Sequence, residues 1–226
     1  METNNPKPES DYKDSLLYKA TKEWDSISQY RYSFIYGFKK KLYTILLTFA
    51  PEEFYHLAGF QYLSDLSLPR YNARKMIRKI LEGEITQDDI EKGADYESLV
   101  KPRLQALLIL QSILDSPFTL FSFRPDMYSS FRTNISADYL ISSMVNGVSY
   151  VFLFGGSPRA IIRECICRSI ITKGERDYEE NQRPYTVLKK TKTDLSTNQE
   201  TVLFVKEGFT EPDQHTEDGQ SNHKEE

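Results

Sequence analysis

Apolar residues recur every three to four positions through much of the first half of the chain, and in short alternating runs through the second half. The first spacing predicts a helix around Leu16–Ser26. Tyr30–Phe38 and Leu42–Phe49 are rich in aromatic and β-branched residues and predict two strands, joined through Gly37–Lys41 as a hairpin. Pro51 opens the next helix, with Glu52 and Glu53 in its first turn, where the positive end of the helix dipole favours acids. Phe54, Tyr55, Leu57, Ala58, Phe60 and Leu63 make this segment apolar on nearly every side, which predicts a buried helix with His56 in or beside a core. Further helices are predicted over Arg70–Glu82, stopped by Gly83, over Gln87–Lys92 behind a Thr86 cap, and over Tyr96–Asp115, ended by Pro117.

Beyond Pro117 the period changes. Phe118–Phe123 is short and aromatic, and Ser136–Val145 and Val148–Phe154 flank Asn146-Gly147, a strong hairpin signal. Ala160–Ile171 fits a helical stripe as well as a strand, and its β-branched content favours a terminal strand around Ile166–Ile171. Tyr185–Thr193 and Thr201–Lys206 predict two more strands. Helices followed by strands predict an α+β chain. The organisation read from composition is a flexible N-terminus over 1–14, one domain over 15–206 (helical over 51–115, mostly β over 116–206) and an acidic, disordered tail over 207–226.

Charge sharpens that division. The formal net charge is −4, but 1–14 carry −2 and 207–226 carry −6, so 15–206 carry +4. A mildly basic body permits an anionic partner without requiring one. Cys165 and Cys167 are the only cysteines; a Cys-x-Cys pair alone does not complete a zinc site and a bridge across it would be strained, so two reduced thiols near a core are expected. No signal peptide is read at the N-terminus, and the longest mainly apolar stretch, Leu42–Ala50, is well short of a membrane span. The expectation is a cytoplasmic protein, bacterial or phage-encoded, with no membrane partner.

The chemistry is narrowed by what the chain lacks. It has no Walker loop, dinucleotide fingerprint or nucleophile elbow, and no acidic cluster at metal-ligand spacing. Gly155-Gly156-Ser157-Pro158 reads as a turn, and Lys39–Lys41 with Lys189, Lys190 and Lys192 as solvated turns or edge-strand gatekeepers. His56 is the one histidine outside the tails, since His215 and His223 lie in the C-terminal segment. Any imidazole chemistry near neutral pH runs through it. One reaction suits a single histidine, a cation and hydroxyls without cofactor or metal: attack of an RNA 2′-hydroxyl on the adjacent phosphate. It needs an acid–base group, for which His56 is the candidate, a planar cation for the phosphorane, for which Arg168 is, and hydrogen-bond donors, for which Ser169 and Thr186 are. The bland alternative is a core histidine and an ion-paired arginine.

The run Phe54-Tyr55-His56-Leu57-Ala58-Gly59-Phe60-Gln61-Tyr62-Leu63 resembles the hallmark helix of a phage-associated nuclease family. So, in order, do Ile135–Ile141, Tyr150–Phe154 and Cys167–Ile171, then Asp177-Tyr178, Gln182 and Tyr185–Lys190. The family is the fourth phage subgroup of the barnase–EndoU–colicin–RelE-like (BECR) nucleases, and the resemblance spans about 30–206. It implies N-terminal helices packed on a C-terminal four-stranded antiparallel sheet. It also implies a metal-independent ribonuclease of toxin or effector type, with RNA as partner and an immunity or antitoxin protein as a second one. Carried onto this chain, the active-site positions are His56, Arg168, Ser169 and Thr186, with Tyr150 and Lys189 as substrate-binding positions behind them. The alternatives are a non-catalytic RNA- or protein-binding module on the same fold, and a structural or interaction protein in which His56 only fills the core.

Overall fold

A computed structural model describes residues 12–66, 71–145, 147, 149–155 and 160–212. The chain runs α1 (Leu16–Ile27), β1 (Tyr30–Phe38), β2 (Lys41–Thr48), α2 (Pro51–Leu57), α3 (Ala73–Leu81), α4 (Gln87–Ile90), α5 (Lys101–Leu107), α6 (Leu110–Asp115), β3 (Thr119–Ser122), β4 (Tyr139–Ser143), β5 (Ser149–Gly155), β6 (Ile162–Thr172), β7 (Arg183–Asp194) and β8 (Glu200–Val205). The strands pair in the order β1-β2-β6-β5-β4-β3-β7, and β7 then pairs back to β1. The result is a closed seven-stranded barrel, with β8 added to the outer edge of β7. β2 and β6 run parallel and the other pairs antiparallel.

This corrects the expected four-stranded antiparallel sheet. The leading hairpin is not an appendage: β1 and β2 are barrel wall, and each bonds a strand from the far half of the chain. The cause lies in alternation on both strands. Tyr32, Phe34 and Tyr36 on β1 and Ile45 and Leu47 on β2 are all buried on one face, and only strands from the C-terminal half extend that face on either side. Leu120, Tyr139, Ile141, Val151, Leu153, Cys165 and Cys167 continue it, and the interior is filled rather than open. Both thiols are free and buried.

The helices join this cluster at the end of the barrel where β1 begins and β2 ends, through Trp24, Ile27, Phe54, Leu57, Leu104, Leu107 and Ile113. The long helix expected over Tyr96–Asp115 is broken into a π turn (Tyr96–Val100), α5 and α6. Pro102 lacks the N–H that a continuous helix would use, which accounts for the wide turn just before it. A second apolar cluster, Phe121, Phe123, Tyr128, Leu140, Tyr150, Phe152 and Tyr178, covers the outer face of β3, β4 and β5. Asn146 and the segment 156–159, where turns are expected, lie outside the described residues.

Lys190, expected at a solvated edge, points inward and is only 3% exposed. Its Nζ donates to the carbonyls of Leu114 (2.8 Å) and Ser116 (2.6 Å), closing the C-terminus of α6, and lies 4.4 Å from the Phe118 ring centroid. Burial, partly opposed by Asp115, lowers its pKa to about 8. Lys192 pairs with Asp115 at 3.1 Å, and Asp115 also accepts the Tyr32 hydroxyl at 2.7 Å. Replacing Lys190 with alanine strands two helix-end carbonyls and opens a void. An unfolding free energy lower by about 3 kcal/mol is expected in urea titration, with Lys190→Met recovering part of the loss by keeping the stem volume.

Candidate active site

The hallmark segment is two short pieces. Phe54, Leu57 and Ala58 form the buried stripe of α2, and the chain then turns at Gly59, whose φ of +83° suits a residue without a side chain. Phe60 and Leu63 bury themselves from the following turn. Spread over two elements, the apolar positions leave one side of α2 open. His56, expected in or beside a core, is exposed on that side, with Tyr55 (37% exposed) next to it at 6.0 Å between ring centroids. Gln61 Nε2 donates to the His56 carbonyl at 3.4 Å, tying the two pieces together.

Glu53, one turn before His56, is the group that sequence reasoning passed over. Both first-turn acids answer to the helix dipole, yet Glu52 is exposed and Glu53 is half-buried. Its Oε2 accepts the Ala50 N–H at 3.2 Å, which favours the charged form, but burial outweighs this and, with Glu52 adding to it, raises the pKa to about 7. Positions i and i+3 share a helix face, so Glu53 and His56 lie one above the other on α2. The only hint in the sequence is an acid set between Ala50 and Phe54 and followed at the right interval by the imidazole.

The helix packs against β6, and Glu53 is close enough to Cys167 for its charge to add to the burial that pushes that thiol up. Cys165 is likewise raised to about 12 by burial, so neither sulfur is poised as a nucleophile. Between Cys167 and Ser169 the ladder slips: Leu153 opposes Cys167, Phe152 opposes Ser169, and Arg168 is the extra residue of a β-bulge. A bulge re-aims a side chain, and the Arg168 side chain is exposed. The last β2–β6 pair is Thr48–Ile166, which sets Arg168 level with the Phe49–Ala50 link into α2. A depression of about 500 Å³ borders the same link, lined in part by Asp25, Ser28, Gln29, Glu52 and Arg74.

The structure thus brings His56 and Arg168 to one end of the barrel, and Glu53 stands on the same helix as His56. Ser169 is buried on the opposite face of β6 from Cys167, beside Phe152. Thr186 is not brought to this end: it pairs with Gly37 near the β1–β2 turn, about 30 Å away along the strands. Tyr150 is fully buried in the outer cluster, its hydroxyl donating to Asp177 at 3.3 Å and its pKa raised to about 12 by burial. Lys189 pairs with Glu211 at 2.6 Å and stands 4.0 Å from Glu200.

The family model described as phage-Barnase-EndoU-ColicinE5/D-RelE like nuclease4 matches residues 16–207. The chain belongs to this nuclease family. The match takes in the whole barrel and every helix from α1 onward, so this BECR-type nuclease carries its family signature across both ends of the barrel. No curated protein and no solved structure matches it. Among the described residues, no helix is long and apolar enough to cross a membrane, and no three His, Cys, Asp or Glu side chains gather as metal ligands.

Proposed function

We propose that this BECR nuclease is a ribonuclease that cleaves RNA by 2′-hydroxyl attack, using Glu53 and His56 on α2 with Arg168 from the β6 bulge. The observation that carries the reading is the pairing of two acid–base groups three residues apart on α2, at the same end of the barrel as an exposed arginine in a β-bulge. Glu53, ionised, takes the proton of the 2′-hydroxyl as its oxygen bonds to phosphorus. His56, protonated, gives a proton to the departing 5′-oxygen. The planar guanidinium of Arg168 meets the negative charge that builds on the equatorial oxygens. The products are a 2′,3′-cyclic phosphate and a free 5′-hydroxyl, and no water enters this step. Tyr55 offers an exposed ring for a base beside the scissile bond.

Glu53 supplies a signature in pH. Only its ionised form accepts a proton, so kcat/KM is expected to climb with pH up to about 7, the value to which burial raises this carboxyl. Substituting Gln at position 53 removes that limb. A profile measured on a fluorogenic RNA substrate checks this, and an unchanged rising limb in Glu53→Gln would assign the base to another group.

A further inference from the structure

The end of the barrel opposite the helices holds a second constellation that the cleavage site does not use. β1 and β2 are joined by Lys39 and Lys40, both at left-handed φ (49° and 62°). A two-residue turn of this kind ordinarily takes asparagine and glycine, because a side chain in the left-handed region is strained. This chain keeps lysines there, and Lys41 follows. Immediately inside the turn, Phe38, Tyr43 and Tyr185 are half-buried; the Phe38 ring contacts both tyrosines, with centroids 5.3 Å apart for Phe38–Tyr185 and 6.4 Å for Phe38–Tyr43, and both tyrosines pack on Tyr36 beneath. The exposed Arg183 places its guanidinium 4.6 Å from the Phe38 ring centroid, and Lys39 Nζ lies 5.4 Å from the same ring. Arg163 stands at 5.4 Å from the ring of Tyr139, one layer deeper.

We propose that this rim is a docking platform for single-stranded RNA, on which the rings of Phe38, Tyr43 and Tyr185 stack unpaired bases while Lys39, Lys40 and Arg183 hold the flanking phosphates. The inference rests on the RNA part of the ribonuclease reading and adds where the strand is held away from the cut. Aromatic faces interleaved with cations are what sequence-tolerant binding of unpaired strands requires, since every base has a face to stack and every nucleotide a phosphate. A duplex buries its base faces and would meet only the cations. The rim and α2 lie about 30 Å apart along the strands.

The turn permits a test in which folding and binding move in opposite directions. Lys39→Asn with Lys40→Gly installs the turn's preferred residues, so the urea midpoint is expected to hold or rise. Binding of the full chain to a fluorescein-labelled 12-mer of 2′-O-methyl uridine, read by anisotropy in EDTA, is expected to weaken roughly tenfold. The slope of log K against log salt is expected to fall by about 1.4, two phosphate contacts' worth for a single strand. The methylated probe has no nucleophilic 2′-hydroxyl, so its binding stands or falls apart from cleavage, which the same preparation reports on all-ribose RNA. Binding by the double variant with the wild-type affinity and slope would overturn the platform. So would displacement of the probe by poly-glutamate as effectively as by unlabelled RNA of equal charge, since an acidic chain has no bases to stack.

Discussion

His56→Ala is expected to slow RNA cleavage by roughly 10²–10⁴-fold, the usual worth of a positioned acid–base group, while moving the unfolding free energy by no more than about 0.5 kcal/mol. The small change in stability follows from placement. His56 is exposed, and among the described residues its side chain is a partner in no hydrogen bond that holds α2 to β6 or to its neighbours. A histidine that merely filled space on an apolar helix would give the opposite pattern, a loss of stability with activity falling only as the folded fraction falls. Single-turnover cleavage and a urea titration on the same preparation separate the two.

Glu53→Gln is expected to lower cleavage by a similar factor and, unusually for an active-site change, to make the protein more stable above neutral pH. The carboxyl's pKa is about 7 in the fold against the ordinary glutamate value of 4.5. Between those values the unfolded chain has released the proton and the folded chain still holds it, so this group's contribution to stability falls as pH rises from about 4.5 to about 7. Below that window the contribution is intact, and above it the cost of a buried charge is fully expressed. Glutamine has no charge to bury and can still accept the Ala50 N–H. The difference between variant and wild-type urea midpoints should therefore grow with pH across the window and then level off. A variant that is less stable than wild type at pH 8 would show that the carboxylate is a structural cap rather than a strained functional group.

Much of the local structure could be read from the chain. α1, the Tyr30–Phe38 strand, the Pro51 helix start and the strands around 150–155 and 185–193 follow from spacing and punctuation alone. Closure of the barrel could not, because the pairing of β1 with β7 joins residues 149 to 164 positions apart, and nothing local says which strand a buried face will meet. The same blindness hid Lys190 and Lys192. A Lys-Lys-Thr-Lys run reads as an edge, and only the arrival of Asp115 and the end of α6 on the inner face turns two lysines inward. At the site, the sequence singled out His56 because it had no rival and Arg168 as a planar cation suited to a phosphorane, a position the resemblance also implied, but not the bulge that re-aims the arginine. Glu53 was invisible because burial, not residue type, distinguishes it from Glu52. The two acids are identical as letters, and one of them lies against β6.

Acid–base chemistry centred on α2 is tested most directly by one assay: purified wild-type protein and His56→Ala are incubated with single-stranded RNA in EDTA, and the product ends are characterised by mass spectrometry. The expected result is cleavage by the wild type with 2′,3′-cyclic phosphate and 5′-hydroxyl ends, and near-loss of product with the variant. Equal cleavage by both proteins, or products with 5′-phosphate ends, would contradict it.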